Sequence, residues 1–380
     1  MKKLLTFTLL CTALITKAQD TKTIKLEDLG APTSPAFVLT DLSPTLVQNP
    51  TTPKSFVLGV AQSFGQSKSG FPDNFAAGFT PFWWFNKKGY SVYDVLGLKA
   101  KDSTSKDKGN LSENIWGGLK FTGVSVALIN KDLIPDAAAD QQQIFSVGGR
   151  TTLIKVHRKA YVTDIENALT AWTKAANKGF DSNEAMLRAM IIDPAGTAEI
   201  LKKWNYKDLE NAMDQINTLI AEKPTFNLDL SAAYAVYGID DKQYKSGRTG
   251  VWTTLSSYIP MRLKFDKPTT NYFSLNASVR YQEDHFYKDN EGNIGLNRSV
   301  DAGGKAGIEI DKFAIGVEWL HRWNKAGTSD QNRTVGQLSY KIADQVFLNG
   351  SFGKNFDMPN KLITALGINW GIGSEKVKLP

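Results

Sequence analysis

YFSLNASVRY, residues 272–281, places an apolar side chain at every second position. The apolar positions run from Phe273 to Tyr281, and those between them, from Ser274 to Arg280, are small or polar. Because successive side chains of a β-strand point to opposite faces, the stretch predicts a strand with one apolar and one polar face. Such a strand fits a transmembrane β-barrel, whose outer face meets lipid and whose inner face meets the lumen.

The same alternation, bounded by turn residues, recurs along the chain and predicts about twelve strands. Each is about as long as the ~9–11 residues that a tilted strand needs to cross a bilayer. An even number is typical of single-chain bacterial barrels. We therefore predict an all-β fold, a transmembrane antiparallel β-barrel over residues 56–374. The predicted strands are Phe56–Phe64, Asn74–Phe85, Ile115–Ile129, Gln143–Lys155, Phe226–Tyr237, Gly250–Met261, Asn271–Tyr281, Val300–Ile310, Phe313–Trp323, Arg333–Ile342, Gln345–Gly353 and Lys361–Ile372.

Residues 1–18 have the three parts of a secretory signal peptide. Met1–Lys3 is positively charged, Leu4–Ile15 is apolar but too short to span a bilayer, and Thr16–Ala18 offers small residues for cleavage. Cys11, the only cysteine, is removed with this peptide, so the mature chain is expected to contain neither a disulfide nor a cysteine nucleophile. Export together with period-two strands predicts the cell outer membrane as the location and its lipid as the surrounding partner.

The composition is that of a soluble protein, with 42% hydrophobic and 22% charged residues. A barrel has such values because only alternate strand residues meet lipid. The formal charge of +7 falls to +4 once Lys2, Lys3 and Lys17 leave with the signal peptide. Lysine and arginine are spread along the chain without forming a basic block, which argues against a nucleic-acid partner.

Connection lengths predict which end of the barrel faces the periplasm. The shortest, Asp311–Lys312 and Ala343–Asp344, follow the eighth and tenth strands and belong at the periplasmic end. The longer polar connections around Asp240–Thr249, Gln282–Ser299 and Asn324–Asn332 fall at the opposite, extracellular end. This assignment places the N-terminus in the periplasm.

Charged residues on the polar strand faces are expected to line the lumen, because an unpaired charge in hydrocarbon costs several kcal/mol. Their mixed signs predict a cross-linked, narrow interior and argue against a wide pore of one sign. The predicted lumen-facing charges are Arg150, Asp229, Arg280, Lys305, Glu309, Glu318 and Arg322.

Aromatic residues gather near strand ends, where the interfacial girdles of membrane barrels lie. A soluble β-sandwich is the alternative fold, but it does not account for the twelve strands, the connection lengths and these aromatic ends together. The predicted membrane-interface aromatics are Trp83, Trp84, Trp319, Trp323 and Trp370.

Residues 156–225 interrupt the strand pattern with helical composition. The segment Tyr206–Glu222 has an amphipathic stripe that includes Leu209, Met213 and Ile216. We predict a small periplasmic helical insert that docks a periplasmic protein partner, plugs the barrel mouth, or only covers its own apolar stripes. Its predicted helices are Tyr161–Lys178, Asn183–Ile191, Thr197–Trp204 and Tyr206–Glu222.

Residues 19–55 are punctuated by prolines, so we expect an extended periplasmic segment with no helix. Several stretches in the first 160 residues resemble uncharacterised outer-membrane β-barrel proteins of Bacteroidota. The resemblance implies a barrel in the cell envelope and carries no catalytic motif. The resembling stretches are Ser34–Leu39, Asp41–Pro44, Pro50–Lys54, Thr80–Trp84 and Gly148–Lys155.

Catalytic and metal-binding patterns are absent from the sequence: it contains no HExxH, GxSxG, CxxC or P-loop motif. Of the three histidines, His321 lies between Trp319 and Trp323, and Ser299 is its candidate partner in a lipid-hydrolysing dyad. A histidine between two tryptophans is more typical of an aromatic girdle. We expect no enzyme activity, no cofactor, no metal site and no catalytic residue.

Three functions remain open from the sequence alone. The first is a structural or scaffold barrel whose insert, residues 156–225, binds a partner. The second is a porin-like, narrow channel for small solutes. The third, least favoured, is a barrel enzyme that acts on lipid.

Overall fold

The structure of this chain is a computed structural model that begins, for the residues it describes, at Thr33. The predicted signal peptide, Trp83, Trp84 and the two middle helices predicted for the insert lie outside the described residues. The described residues are 33–43, 45–48, 55–61, 74–82, 90–100, 111–131, 142–175, 206–240, 243–261, 271–288, 294–325, 329–343, 346–356, 362–371 and 377–378.

Twelve antiparallel strands close into a barrel, in which each strand pairs with its neighbours in sequence and the first pairs with the last. The predicted fold class, an all-β antiparallel barrel of twelve strands, is confirmed. The strands are β1 (Ser55–Ala61), β2 (Asn74–Phe79), β3 (Gly123–Lys131), β4 (Gln142–Val156), β5 (Phe226–Asp240), β6 (Gln243–Pro260), β7 (Tyr272–Lys288), β8 (Ile294–Ile310), β9 (Phe313–Asn324), β10 (Gln331–Ala343), β11 (Val346–Lys354) and β12 (Leu362–Gly371).

Side-chain exposure follows the alternation that the sequence predicts. On β9, Val317 is 57% exposed and Trp319 51%, whereas Glu318 between them is fully buried. On β7 the odd-numbered residues from Leu275 to Tyr281 are exposed, and the even-numbered ones from Ser274 are buried. Each wall strand therefore presents one face outward and one face to the barrel interior.

Several strands extend beyond their predicted ends. The predicted loops Asp240–Thr249 and Gln282–Ser299 are mostly strand, because β5 continues to Asp240, β6 begins at Gln243, and β7 and β8 remain paired as far as Lys288↔Ile294. The alternation of apolar and polar residues fades there because polar residues occupy both faces, although the backbone hydrogen bonds between the strands continue. Strand length was therefore underestimated at this end.

Because these strands are longer than predicted, the connection lengths do not show which end of the barrel faces the periplasm. Only two residues, 241–242, separate β5 from β6 at the end opposite Asp311–Lys312, so short connections occur at both ends. Chain alternation places the two large connections, 80–122 and 157–225, at the same end as Asp311–Lys312, which we call the insert end. That the insert end faces the periplasm stays a prediction.

A small folded unit, the end module, is built from these two large connections. The β2–β3 connection contains helix α2 (Val92–Leu96) and the paired strands Leu98–Ala100 and Leu111–Glu113. Residues 117–121 form a 3-10 helix, so the third strand begins at Gly123 and not at Ile115 as predicted. Val377–Lys378 joins the module through a parallel pair with Tyr90–Ser91.

Two helices of the predicted insert are described, α3 (residues 161–175) and α4 (Tyr206–Ile220). They pack on the β2–β3 connection instead of covering only one another. Within the described part of the chain, none of the helices has the length and apolar character needed to cross a membrane. The shared apolar cluster consists of Val95, Leu96, Leu98, Tyr161, Ile165, Ala168, Leu169 and Ile216.

Candidate functional site

The barrel interior is occupied by the chain's own N-terminal part, residues 33–43 and 45–48, which we call the inner segment. Its hydrogen-bond partners belong to strands on several sides of the barrel, including Ser125 on β3, Arg280 on β7 and Arg333 on β10. Only a segment inside the closed wall can reach all of these strands. Every described residue of the inner segment is buried except Thr45, which is partly buried.

The inner segment begins with a helical turn, α1 (Pro35–Val38). Ser34 caps this turn by accepting a hydrogen bond from Phe37 N at 3.3 Å, and Pro35 occupies the first helical position, where no N–H is needed. The extended periplasmic segment expected from the prolines is therefore wrong for these residues. Proline opposes a helix interior, but it favours a helix start.

A glycine in the wall permits the close approach of α1. A Cβ built on Gly148 of β4 would lie 2.7 Å from the backbone nitrogen of Ala36, which is closer than real Cβ contacts. On the neighbouring strand, Ala36 N donates a hydrogen bond to Ser125 Oγ at 3.2 Å. The small side chains of β3 and β4 thus form the surface against which the inner segment packs.

Asp41 lies at the turn of the inner segment and contacts three arginines of the wall. Its backbone has φ of 60°, a left-handed conformation that aspartate tolerates better than most residues. Arg280 Nη2 lies 2.5 Å from Asp41 Oδ1, while Arg322 Nη2 and Arg248 Nη1 lie 3.0 Å and 3.1 Å from Oδ2. Both oxygens of one carboxylate are therefore held by three guanidinium groups.

The arginines are themselves held in position by carboxylates of the wall. Asp301 of β8 pairs in register with Arg280 and Arg322, and it accepts from the Nε atoms of these residues at 2.8 Å and 2.7 Å. Asp284 accepts from Arg248 Nε at 2.7 Å. With Asp41 in place, three guanidinium groups face three carboxylates, and the buried network is electrically balanced.

Glu318 of β9 holds the second half of the inner segment. Its Oε2 accepts hydrogen bonds from the backbone nitrogens of Leu46 and Val47, each at 2.9 Å, and from Thr45 Oγ1 at 2.8 Å. Its Oε1 pairs with Arg333 Nε at 2.8 Å, and both side chains are fully buried. The wall thus binds a carboxylate of the inner segment with arginines and its backbone amides with a carboxylate.

All seven predicted lumen charges are placed on the inner side of the wall, five of them at or below 5% exposure and the other two, Arg150 and Lys305, partly buried. Arg150 pairs with Asp229 at 2.5 Å, and Glu309 pairs with Lys223 of the insert at 2.7 Å. Arg280, Glu318 and Arg322 contact the inner segment, and Lys305 pairs in register with Glu318. The predicted set omitted five participants, Asp41, Arg248, Asp284, Asp301 and Arg333.

Two of the omitted residues are marked in the sequence. Asp301 lies on the polar face of a predicted strand, and Arg333 begins one. Arg248 and Asp284 lie in predicted loops, and continuing the alternation of β6 toward its N-terminus and of β7 toward its C-terminus assigns both residues to the inner face. Nothing local marks Asp41, because its partners lie more than 200 positions away in sequence.

The outer face of the barrel is an apolar belt. From β7 to β9 its outward residues between Phe273 and Tyr281, and between Val300 and Ile310, include no charged side chain. An exposed ion pair, Arg298–Glu283 at 2.9 Å, lies beyond the belt at the end away from the insert. A continuous exposed apolar surface of this kind is typical of a lipid-facing wall.

The predicted interface aromatics have mixed outcomes. Trp319 and Trp323 are outward and about half exposed, at 51% and 46%. His321 lies between them, with its ring 4.5 Å from that of Trp323. Ser299 is 3% exposed on the opposite face of the wall, so the dyad considered for lipid hydrolysis is not assembled. Trp370 belongs to β12, but its side chain lies outside what the structure describes, as do Trp83 and Trp84.

A largely buried histidine–carboxylate pair joins the two large connections of the end module, directly after the end of β4. His157 Nδ1 lies 2.6 Å from Glu113 Oε1, and the histidine ring stacks on Tyr161 at 3.9 Å. Burial, together with the charge of Lys155, lowers the pKa of His157 from 6.5 to about 4 against the opposing effect of Glu113. Burial alone would raise the pKa of Glu113, but hydrogen bonds from His157 hold it below its ordinary value.

We predict that acidification loosens the end module. His157 binds a proton near pH 6.5 when unfolded but only near pH 4 when folded, so stability is lost as the pH falls through this window. The loss is expected to reach on the order of 3 kcal/mol. Hydrogen exchange of the α3 amides, corrected for intrinsic rates, measures it. His157→Gln should abolish the dependence between pH 6.5 and 5, and an unchanged dependence in that variant would assign the effect to another group.

No protein-family model matches this chain, and no curated protein matches it. The chain is similar to the transport unit of the autotransporter AIDA-I from Escherichia coli, with 11% identity, a TM-score of 0.34 and coverage of 90% of this chain and 100% of that one. It is also similar to the Ralstonia pickettii toluene transporter TbuX, with 9% identity, a TM-score of 0.22 and coverage of 92% and 96%. At these TM-scores neither structure bears on function. The resemblance to Bacteroidota proteins stays a prediction.

Within the described residues, no group of three or more His, Cys, Asp or Glu side chains is arranged to hold a metal ion. The charged groups of the interior instead bind one another and the inner segment. Chemically, the arrangement holds a segment of chain in the lumen by a balanced set of buried ion pairs.

Proposed function

We propose that this protein is an outer-membrane β-barrel that its own inner segment keeps closed, and that acts as a scaffold through the end module. The observation that carries the proposal is the occupied lumen, in which Asp41 and Glu318 fasten the inner segment to the wall. With the lumen filled, the surfaces that remain for other molecules are the two ends. Of these, the insert end presents a folded unit with its own apolar cluster.

Support for the membrane location comes from the belt and from the signal peptide predicted for residues 1–18. Outward apolar side chains on all three of β7, β8 and β9 are exposed in the isolated chain, for example Leu275 to 45%, Ile308 to 39% and Val317 to 57%. Exposure of so much apolar surface is unfavourable in water and favourable in hydrocarbon. The inward charges are paired in the lumen, where they avoid lipid.

The experiment for this proposal is electrical recording from the full mature chain in a planar bilayer. We expect no steady conductance, because the inner segment fills the lumen. A steady conductance of the wild-type protein would contradict the closed barrel. It would favour the alternative function, a narrow channel for small solutes. Heat-modifiable migration on SDS gels confirms that the recorded protein is a folded barrel.

The end module is proposed as the site that a periplasmic protein partner contacts. The two ends of its insert are held together by an ion pair between Arg158 Nε and Glu222 Oε1 at 2.8 Å, and one of them is anchored to the barrel by Lys223 Nζ, which lies 2.7 Å from Glu309 Oε2 of β8. Because Arg158 and Glu222 are neighbours in space, a short turn can join them. Residues 159–221 can therefore be replaced without removing the contacts that anchor the insert to the barrel.

We predict that replacing residues 159–221 with a short Gly/Asn turn leaves a heat-modifiable, non-conducting barrel. A photo-crosslinker at exposed Asp214 of α4 is expected to capture one discrete envelope protein in cells. The same crosslinker at Leu296, exposed at the opposite end, is the matched control and should not capture it. An unfolded replacement variant would show that the module is part of the barrel fold, and equal capture at both positions would contradict the proposed docking surface.

A further inference from the structure

The arginine cluster of Arg248, Arg280 and Arg322 has the composition of an anion-binding site. The three guanidinium groups come from β6, β7 and β9 and converge on a single carboxylate, that of Asp41. Guanidinium groups suit this role because they are planar, always charged and rigidly forked, which matches the two oxygens of a carboxylate. Asp41 belongs to the inner segment, so the ligand of this site is not part of the wall.

The wall alone leaves this site with an excess positive charge. Arg248, Arg280 and Arg322 contribute three positive charges, whereas Asp284 and Asp301 contribute two negative ones, which leaves a net charge of +1 in the absence of Asp41. A buried unpaired charge is strongly unfavourable, so the site requires one monovalent anion. Asp301 also fixes the orientation of two of the guanidinium groups before any ligand arrives.

We propose that this cluster is a binding site for small carboxylate anions, and that Asp41 occupies it as a built-in ligand. A small carboxylate solute in the lumen binds the same three guanidinium groups wherever the Asp41 carboxylate does not occupy them. Recognition depends on charge and on the two coplanar oxygens, with Arg280 on one oxygen and Arg248 and Arg322 on the other. This binding site is a property additional to the proposed scaffold role. Of the proposed function, it rests only on the position of the inner segment inside the barrel.

Asp41→Gly provides the test, because it removes the carboxylate without straining the backbone. Glycine adopts the positive φ of this position readily, and its missing side chain leaves room for formate or acetate. We expect the urea midpoint of the variant in detergent micelles to fall and then to rise saturably with added formate. At about ten times the dissociation constant of formate, the folding equilibrium should shift about tenfold.

Control solutes and a control variant distinguish carboxylate recognition from effects of ionic strength and of added small solutes. Acetamide, chloride and phosphate at equal ionic strength should restore little, and formate should change neither the wild type nor Asp41→Asn, whose amide fills the space. Equal restoration by phosphate or chloride would overturn carboxylate recognition in favour of charge alone. No restoration by any anion would overturn the site.

If Asp41→Gly does not fold in the absence of formate, the yield of folded protein with and without formate is measured instead. Folding of the variant only when formate is present supports the site, whereas failure in both media while Asp41→Asn folds overturns it. Urea unfolding does not depend on whether the barrel conducts. Failure of this inference is therefore distinguishable from failure of the closed barrel, which only the bilayer recording measures.

Discussion

Glu318→Gln is expected to release the inner segment from the lumen. The substitution keeps the side-chain volume but removes the negative charge opposite Arg333, and both of these residues are fully buried. It also weakens the acceptor of the backbone N–H groups of Leu46 and Val47. Removing one partner of a buried ion pair costs about 3–5 kcal/mol, so the displaced state should gain at least about a hundredfold in population.

Two measurements follow the released segment. Intermittent conductance should appear in bilayer recordings, and a protease site placed between Asp41 and Leu46 should become sensitive. Glu283→Gln is the matched control, because Glu283 pairs with Arg298 on the exposed surface, where solvent screens the pair and little stability is lost with it. If the Glu318→Gln protein shows no conductance and is no more sensitive to the protease than the wild type, Glu318 does not hold the inner segment in the lumen.

Val317→Arg is expected to cost about 2–4 kcal/mol of barrel stability, because it places a charge at the middle of the lipid-facing wall. Val317 is 57% exposed in the isolated chain and lies between the strand end at Phe313 and the outward Trp323. Its neighbours in the outward row of β9 are Ile315 and Trp319, both apolar. Reversible urea unfolding in lipid vesicles measures the free energy of unfolding.

Leu296→Arg is the matched control for the belt. Leu296 is also apolar and 45% exposed, but it lies on β8 beyond Arg298, at the end away from the insert. Outside the hydrocarbon the same substitution should cost only about 0–1 kcal/mol. Equal costs at the two positions would contradict a lipid belt that ends near the Arg298–Glu283 pair, and a small cost at both would favour a soluble barrel.

Much of the barrel was predictable because its signal is local. A strand with one lipid-facing and one lumen-facing side repeats every two residues, and this period is visible within a few residues of any strand centre. The inner position of Arg280 and Glu318 followed from the same rule. Strand ends were less predictable, since β6 begins at Gln243 and β7 continues to Lys288 after the apolar period has faded.

The helical insert was predicted from composition, but its packing was not. The stripe on α4 predicted that Met213 and Ile216 face an apolar surface, and the structure shows that this surface includes Val95 and Leu98 from the β2–β3 connection. That connection has no strong helix or strand period of its own. The stripe on α4 therefore marks an apolar face in the sequence, but nothing in either connection identifies the element that covers this face.

The sequence by itself determined that this chain alternates into twelve strands, which side of the described strands is polar, and that the segments of α3 and α4 are helical. These properties depend on the order of neighbouring residues. Only the tertiary structure decided that residues 33–48 lie inside the barrel and that Asp41 meets Arg248, Arg280 and Arg322. The physical reason is that an ion pair depends on distance in space, and closing the barrel brings together charges that the chain separates by more than 200 residues.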